Sequence, residues 1–351
     1  MRNVAFITGI SGQDGSYLSE LLLDKKYAVY GIVRRTSLVY TSSRIDHIRD
    51  KLHLEYGDMT DTHGLSSYLR RIVKENTDLE VLEIYNLAAQ SHVAISFEIP
   101  EYTTDVDGIG VLRILEAARS LHEDFVGTNK VIKFYQAGTS EMYGKVKATP
   151  QTIDTPFNPI SPYAAAKLYG FYMTRLYRDG YGMFCTNGVL FNHESPRRGH
   201  NFVTMKVVNA AKEIVSGKRD IIKLGTLDSK RDWGHAKDYV RGMWLMMQQD
   251  NPTDYVLASG KTYTVRLFVE KVFEKLGFII KWSGSGIDEE GIDQYGNVRI
   301  KIDAKYFRPC EVELLLGDSS LAEEKLGWKR EFDFEDLIND MITSDTNIYK
   351  S

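Results

Sequence analysis

The chain has 351 residues, of which 43% are hydrophobic and 26% are charged, a composition typical of a globular protein with one large or two modest domains. Its net charge of −4 excludes a nucleic-acid partner held by bulk positive charge, and no apolar run approaches the roughly 20 residues that span a bilayer. The two distant cysteines and eight scattered histidines predict neither a disulfide framework nor a metal site, and we expect a cytoplasmic protein without a signal peptide.

The first half of the chain alternates apolar runs typical of strands with amphipathic runs typical of helices. Strands are predicted at 4–8, 27–33, 52–57, 81–88, 131–137 and 184–191. Helices are predicted at 17–25, 64–75 and 108–121. Continuous apolar strands separated by helices predict an α/β fold, a Rossmann-type doubly wound parallel sheet covered on both faces.

The pattern loosens after about residue 190. A loop rich in charge and Pro (192–201) precedes helices at 203–216 and near 236–249, and we expect the apolar run 255–260 to rejoin the main sheet. YGN (295–297) suits a hairpin turn, and helices are predicted at 321–328 and in the last 18 residues. We predict two interleaved domains: a Rossmann domain over 1–190 plus about 235–262, and a smaller α/β substrate-binding domain over about 191–234 and 263–351.

TGISGQDGSYL (8–18) follows the first predicted strand and opens a helix, with glycines at Gly9, Gly12 and Gly15. Glycines here allow a tight turn and a close backbone approach to a pyrophosphate, which the free N–H groups of the helix N-terminus then bind. The spacing has one residue more than the usual dinucleotide fingerprint, and a plain strand-to-helix turn is the alternative.

The end of the second predicted strand indicates which cofactor is bound. NAD sites usually place a carboxylate there, about 20 residues after the glycine loop, on the ribose 2′-hydroxyl. This chain instead has Arg34, Arg35, Thr36 and Ser37, whose guanidiniums and hydroxyls favour a 2′-phosphate, so we predict NADP. A solvated basic loop is the alternative. We expect Asp58 and the strand end 86–91 beside the adenine and the central part of the cofactor.

SPYAAAKLYG (161–170) places Tyr163 and Lys167 on one face of a helix. Because a nearby ammonium favours phenolate, we expect Tyr163 to lose its proton more easily and to act as a base, assisted by Thr139. The alternative is an aromatic core stripe with a surface lysine. AGTSEMYG (137–144) adds Glu141 two positions after Thr139, and on a strand end both side chains would point to the same side while Ser140 faces away.

The glycine loop, the NLAA segment and the Thr…Tyr-x-x-x-Lys pattern resemble the extended short-chain dehydrogenase/reductase superfamily. Within it, TSEMYG, SPYAAAKLYG, LFNHESPRRG, RDWGHAKDYV and RP-x-EVE-x-LLGD (308–318) resemble the GDP-mannose 4,6-dehydratase family, over nearly the whole chain. Members of that family often have Ser where this chain has Gly138, a departure that leaves the Thr and the Glu of the motif in place.

The resemblance implies a reaction and roles for the central residues. GDP-mannose would be oxidised at C4, lose water across C5 and C6, and regain hydride at C6, giving GDP-4-keto-6-deoxy-mannose with NADP as a bound redox cofactor. Tyr163 would take the O4 proton, Thr139 would hydrogen-bond O4, and Lys167 would hold the nicotinamide ribose. Glu141 would remove the C5 proton and assist departure of the C6 hydroxyl. The resemblance also implies a homo-oligomer, a dimer or a tetramer.

The resemblance further implies which residues bind the two ligands. For NADP they are Gly9, Ser11, Gly12, Gln13, Asp14, Gly15, Arg34, Arg35, Thr36, Ser37, Asp58, Met59, Leu87, Ala88, Ala89, Gln90, Ser91, Tyr102, Lys167, His193 and Arg198. For the GDP moiety they are Asn192, Lys206, Arg231, Arg308 and Glu311. For each of the Arg and Lys residues taken alone, the alternative is a solvated side chain on the protein surface. For His193, the alternative is a loop histidine whose hydrogen bonds are satisfied within the protein.

Other functions stay open at this point. An NDP-sugar epimerase or reductase of the same superfamily would use Tyr163 and Lys167 without needing Glu141, and epimerases usually prefer NAD. A non-catalytic NADP-binding regulator commonly lacks the Tyr or the Lys. A ketone formed in a site that binds NADPH also predicts a secondary reduction to a GDP-6-deoxy sugar.

Overall fold

The computed structural model describes residues 2–36, 43–307 and 310–344, so the predicted site residues Ser37 and Arg308 lie outside the described ranges. The strands are β1 (Arg2–Thr8), β2 (Ala28–Val33), β3 (His53–Tyr56), β4 (Leu79–Asn86), β5 (Val131–Ala137), β6 (Phe184–Leu190), β7 (Asn192–Glu194), β8 (Ile222–Leu224), β9 (Lys230–Arg231), β10 (Trp233–His235), β11 (Tyr255–Leu257), β12 (Tyr263–Thr264), β13 (Lys281–Ser283), β14 (Glu290–Ile292) and β15 (Val298–Ile302). The α-helices are α1 (Gln13–Asp24), α2 (Thr62–Glu75), α3 (Val93–Glu98), α4 (Pro100–Thr104), α5 (Gly110–Phe125), α6 (Pro162–Tyr181), α7 (Val203–Val215), α8 (Ala236–Met247), α9 (Val265–Lys275), α10 (Ser320–Leu326) and α11 (Phe334–Thr343). Within the described ranges, no helix combines the length and the apolar character needed to cross a membrane.

Seven strands form the central sheet, in the order β11-β6-β5-β4-β1-β2-β3. Every neighbouring pair in it is parallel. All six strands predicted before residue 191 are present, and the run 255–260 joins the sheet edge as β11, as expected. The predicted doubly wound α/β fold is therefore confirmed.

Both faces of this sheet are buried under helices. Successive residues of β1 show the arrangement, because Val4 and Phe6 belong to the core on one face while Ala5 and Ile7 belong to the core on the other. Side chains of α2, α5 and α6 cover the first face, and side chains of α1, α8 and α10 cover the second. With both faces closed, the edge formed by the carboxyl ends of the strands remains for ligands.

A separate hydrophobic core lies between α7, α9 and α11 and the four-stranded sheet β13-β14-β15-β8. Strands β14 and β15 pair antiparallel, and Gly296 between them has φ +85°, which confirms the turn predicted at 295–297. The division into two interleaved domains with the limits given above stays a prediction.

Candidate active site

A cavity of about 1890 Å³ lies along the carboxyl ends of β1, β2, β4 and β5 and extends to α7 and residues 305–307. Apart from Gln90, every predicted site residue that the structure describes lines this cavity. The backbone N–H of Gln90 donates to Asp107 (2.7 Å), and its side-chain amide donates to the carbonyl oxygen of His92 (3.2 Å) and to Thr103 (3.2 Å). Gln90 is thus bonded within the protein and does not face the cavity.

The glycine-rich loop forms a cradle that larger residues would fill. Gly9 has φ +70°, and a Cβ there would lie 2.9 Å from the backbone nitrogen of Ala88. A Cβ on Gly15 would lie 2.3 Å from the carbonyl oxygen of Gly9. The Thr8 hydroxyl accepts from the backbone N–H groups of Leu87 and Ala88, both at 3.1 Å, which joins the ends of β1 and β4. The loop and the N-terminus of α1 therefore suit a pyrophosphate held by backbone N–H groups.

Asp14 lies in the first turn of α1, where a carboxylate competes with a phosphate for the positive end of the helix. Nε2 of His193 lies 2.8 Å from a carboxylate oxygen of Asp14, and its Nδ1 lies 2.7 Å from the carbonyl oxygen of Phe191. Burial lowers the pKa of His193, but the charge and hydrogen bond of Asp14 together with the hydrogen bond to Phe191 raise it, so the net shift is upward. Burial raises the pKa of Asp14, but His193, with smaller contributions from Gln13 and Arg198, lowers it, so the net shift is downward. Both shifts favour the charged forms of the two groups, and His193 is satisfied within the protein while also lining the cavity.

The guanidiniums of Arg34 and Arg35 lie on the predicted cofactor side of the cavity, away from the glycine-rich loop. Arg34 donates to the hydroxyl of Tyr102 (2.9 Å), and the guanidinium of Arg35 lies 4.8 Å from the ring centre of Tyr56. Among the described residues, neither arginine forms an ion pair with a carboxylate. Asp58 accepts from the backbone N–H (3.0 Å) and the hydroxyl (2.9 Å) of Thr60. Unpaired guanidiniums on a cavity wall suit an anionic group.

The structure corrects the prediction for residues 139–141. Strand β5 ends at Ala137, Thr139 caps a short 3-10 turn (Ser140–Tyr143), and the Thr139 hydroxyl accepts from the backbone N–H of Glu141 at 3.3 Å. Strand alternation therefore does not orient this segment. Thr139, Ser140 and Glu141 all line the cavity, so strand alternation does not separate Ser140 from its two neighbours. At Gly138, a Cβ would lie 2.9 Å from the carbonyl oxygen of Gly188, which suits glycine at this strand exit.

Helix α6 carries the Tyr and Lys pair at its start. Ser161 caps the helix by accepting from the backbone N–H of Ala164 (3.1 Å), and Pro162 occupies the first turn. Tyr163 and Lys167 are 8% and 3% exposed, which excludes the alternative of a surface lysine. The Lys167 ammonium donates to the carbonyl oxygen of Ala137 (3.1 Å) and lies 5.9 Å from the centre of the Tyr163 ring. The ends of β5 and α6 are thereby joined at the cavity wall.

The predicted easier ionisation of Tyr163 is not what the structure shows. Burial raises the pKa of Tyr163, and the charges of Asp107 and Glu141 raise it further, against lowering by a hydrogen bond from Thr139 and by Arg198. Burial likewise lowers the pKa of Lys167, with Asp107 acting in the opposite direction. Burial and two carboxylates from other elements determine this shift, so the neighbouring Lys167 does not make Tyr163 the more acidic phenol that the sequence predicts. In this structure Tyr163 is a neutral phenol.

The distal end of the cavity gathers the predicted substrate-binding residues, with Asn192 at the start of β7. Arg231, 6% exposed, forms an ion pair with Glu311 at 2.7 Å. The Lys206 ammonium donates to the carbonyl oxygen of Lys223 (2.6 Å) and lies 3.4 Å from the ring centre of Tyr306. Cations that lie far apart in the sequence thus share one wall, which suits a diphosphate better than any of them alone.

The central sheet is parallel and has a glycine-rich loop at its carboxyl edge, and a buried Tyr and a buried Lys face the same cavity. Together these features define the extended short-chain dehydrogenase/reductase class. Solved structures share the fold. The UDP-glucose 4-epimerase of Thermus thermophilus in complex with NAD is 20% identical with a TM-score of 0.76, over 97% of both chains. DesIV, the dTDP-glucose 4,6-dehydratase of Streptomyces venezuelae, is 21% identical with a TM-score of 0.76, over 97% of this chain and 95% of that one.

Sequence comparisons narrow the class to a family. The family model described as GDP-mannose 4,6 dehydratase matches residues 6–341. A GDP-mannose 4,6-dehydratase of Sinorhizobium fredii (strain HH103) is 53% identical over 352 residues, which cover 98% of this chain and 97% of the relative. The GDP-mannose 4,6 dehydratase of Homo sapiens is 49% identical over 359 residues, covering 100% and 93%. The chain belongs to the GDP-mannose 4,6-dehydratase family, which confirms the resemblance seen in the sequence.

Proposed function

We propose that the chain is a hydro-lyase that converts GDP-D-mannose to GDP-4-keto-6-deoxy-D-mannose. One observation carries the proposal: Thr139, Glu141, Tyr163 and Lys167 line the same cavity as the glycine-rich loop, in a chain about half identical to relatives of that name. An epimerase or a plain reductase of this class needs the Tyr and the Lys but has no step for a carboxylate beside the Thr. A non-catalytic regulator is disfavoured because Tyr163 and Lys167 are both present and both face the cavity.

The cavity fits a dinucleotide, and we propose NADP. The cradle around Gly9 and Gly15 would take the pyrophosphate, while Arg34 and Arg35, neither paired with a described carboxylate, would take the 2′-phosphate. Bound NADP would supply the acceptor for the hydrogen at C4 and its donor at C6, so no cofactor is consumed overall. Lys167, held by the carbonyl oxygen of Ala137, would hydrogen-bond the nicotinamide ribose.

The protein side chains would move the protons. Because burial and the charges of Asp107 and Glu141 raise the pKa of Tyr163, this phenol would first give its own proton to solvent in the cavity and then take the proton from O4. The Thr139 hydroxyl, which lines the same cavity, would hydrogen-bond O4 as negative charge develops there. A ketone at C4 acidifies the neighbouring C5–H. The carboxylate of Glu141, 7% exposed in the cavity wall, would remove this proton and then protonate the departing C6 hydroxyl. Arg231 and Lys206 would hold the diphosphate at the distal end.

The test is incubation of the protein with GDP-mannose and a catalytic amount of NADP. We expect a 4-keto-6-deoxy product without accumulation of NADPH, and no comparable product from UDP- or dTDP-sugars. Stoichiometric NADPH formation would instead show a plain dehydrogenase, and a changed sugar configuration without loss of water would show an epimerase.

We also propose a secondary, NADPH-dependent reduction of the keto product to a GDP-6-deoxy sugar in the same cavity. The supporting observation is that the ketone would form where Tyr163 can return a proton to O4. With excess NADPH we expect the 6-deoxy alcohol to appear after the ketone. Persistence of the ketone alone would reject the reduction.

Assembly and location are proposals as well. Tyr169, Tyr172 and Leu176 follow one another on α6 and are 38%, 49% and 59% exposed, and such an apolar stripe supports a homo-oligomer, a dimer or a tetramer. Light scattering on the purified protein tests this. Cys185 and Cys310 are both free thiols, which supports the reducing environment of the cytoplasm.

A further inference from the structure

A buried carboxylate, Asp232, lies behind the cavity wall that is proposed to hold the diphosphate. It follows Arg231 in the chain, in the short link between β9 and β10, and its side chain is 0% exposed. Arg231 lines the cavity and Asp232 does not, so Asp232 has no role in the steps above. Burying a charge is costly unless hydrogen bonds satisfy it, and the partners of Asp232 therefore indicate what it does.

Three backbone N–H groups converge on this carboxylate. Its Oδ1 accepts from Ser259 at 2.6 Å, and its Oδ2 accepts from Gly260 at 2.9 Å and from Gly317 at 3.2 Å. Ser259 and Gly260 follow β11 at the edge of the central sheet, whereas Gly317 belongs to the segment before α10. Asp232 therefore joins three parts of the chain that are far apart in the sequence.

The backbone around this carboxylate is built for close approach. A Cβ on Gly317 would lie 2.3 Å from the Cβ of Ala258 and 2.7 Å from a ring atom of Phe191. Gly260 has φ +70°, a conformation that favours glycine. Two of the three donors thus come from glycines whose geometry other residues would not reproduce, as in sites where backbone N–H groups surround an anion.

The segments joined in this way also carry the proposed diphosphate site. The backbone N–H of Lys230 donates to the carbonyl oxygen of Glu313 (2.9 Å), and that of Leu315 donates to the carbonyl oxygen of Lys230 (3.3 Å). The same segment brings Glu311 to Arg231, where the two side chains form an ion pair at 2.7 Å. On its other side, β9 pairs antiparallel with β12. The guanidinium is thereby placed at the cavity wall by contacts on both sides of β9.

An amide could not replace the carboxylate of Asp232. The two carboxylate oxygens act only as acceptors and face three donors, whereas Asn has one oxygen and one NH2 group. In either orientation, the NH2 group of an Asn would point at an N–H group that now has an acceptor, and that donor would be left buried and unsatisfied. The position therefore requires an acid, and loss of the acid would loosen the segments beside Arg231.

We infer that Asp232 is a positioning residue for the substrate diphosphate: it holds together the segments that place Arg231 and Glu311 at the cavity wall. It acts through Arg231 and does not touch the ligand. The inference rests on the proposed function, since it takes the diphosphate of GDP as the ligand of Arg231. NADP binding at the other end of the cavity should be independent of Asp232.

The first test compares GDP binding by calorimetry in the wild type, Asp232→Asn and the matched control Asp238→Asn. Asp238 is also buried and accepts from two backbone N–H groups, those of Glu331 (3.0 Å) and Phe332 (3.2 Å), but neither of these residues lines the cavity. We expect Asp232→Asn to raise the dissociation constant of GDP about tenfold or more and to leave that of NADP unchanged. Asp238→Asn should also lower the free energy of unfolding but should keep both affinities.

Turnover provides a second readout. With GDP-mannose and catalytic NADP, the KM of Asp232→Asn should rise with its dissociation constant for GDP. Its kcat should change far less, because Tyr163 and Lys167 are held on α6. A double-mutant cycle tests the route through the guanidinium: on an Arg231→Gln background, Asp232→Asn should cause little further loss of GDP affinity.

Four results would overturn the inference while leaving the proposed function intact. They are wild-type GDP affinity in Asp232→Asn, an equal loss of GDP affinity in Asp238→Asn, an equal loss of NADP affinity in Asp232→Asn, and an undiminished loss on the Arg231→Gln background. Failure of the wild-type protein to bind GDP would instead contradict the proposed function.

Hydrogen exchange in the wild type tests the same junction without relying on a variant that must fold. If GDP binds only when the junction around Asp232 is closed, GDP slows the exchange of the three N–H groups bonded to Asp232. At a GDP concentration ten times the dissociation constant, we expect exchange to be roughly tenfold slower. The two N–H groups bonded to Asp238 should show no comparable change. Equal slowing of both sets, or no slowing of the first set, would overturn the inference.

Discussion

Gly15→Ala tests how the cofactor cradle is built. The added Cβ would lie 2.3 Å from the carbonyl oxygen of Gly9 and 2.7 Å from the Cα of Ile10, whereas ordinary contact begins near 3.4 Å. The obstructing atoms belong to the backbone, so no side chain can move away, and α1 would have to shift by roughly 1 Å at a cost of about 1–3 kcal/mol. The shift would carry the helix N-terminus away from the pyrophosphate.

The assay is the dissociation constant of NADP by calorimetry, together with the free energy of unfolding in urea. We expect Gly15→Ala to weaken NADP binding about tenfold or more, since each 1.4 kcal/mol corresponds to about a factor of ten. Gly180→Ala is the control, because a Cβ there meets nothing within 4 Å, and alanine in a helix should raise stability by up to about 1 kcal/mol. Wild-type NADP affinity and wild-type stability in Gly15→Ala would refute the steric argument.

Four other changes test the site. Glu141→Gln should lower kcat by roughly 10²–10⁴ with NADP affinity retained, and near-normal dehydration would show that another group is the base. Tyr163→Phe should also lose turnover but still bind NADP in a fluorescence titration; an active variant would contradict the oxidation step. Arg35→Glu should weaken NADP binding about tenfold or more and leave NAD binding unchanged, and an equal loss of affinity for both would show that Arg35 does not bind the 2′-phosphate. The pKa of His193 is raised above 6.5 in the folded protein. Its pairing with Asp14 therefore contributes its full share of the free energy of unfolding below pH 6.5, and this contribution is lost as the pH rises through the raised pKa of the folded state. His193→Gln should therefore lower the free energy of unfolding more at pH 6 than at pH 9, and an equal effect at both would mean that the pair is not ionised.

The sheet could be predicted from the sequence because its strands are continuous apolar runs buried on both faces. The cofactor loop followed from glycine spacing, and the pair Tyr163 and Lys167 followed from helical periodicity within one segment. These features depend on neighbours in the chain, which a sequence displays directly.

The errors arose where distant elements meet. Nothing local to residues 137–144 shows that β5 stops at Ala137 and that Thr139 caps a 3-10 turn, so strand alternation does not predict the side-chain directions there. The proton affinity of Tyr163 depends on Asp107, 56 positions away, and on burial that only the assembled fold produces. Asp107 carries no such signal in the sequence, because a single acid before an apolar helix resembles an ordinary helix start.

The most direct test of the proposed dehydration follows one hydrogen atom. GDP-mannose carrying deuterium at C4 is incubated with the protein and catalytic NADP, and the product is examined by NMR. We predict that the deuterium appears at C6 of a 4-keto-6-deoxy sugar, since hydride leaves C4 and returns to C6 within one catalytic cycle. Deuterium retained at C4, or transferred to the cofactor pool, would contradict the proposed function.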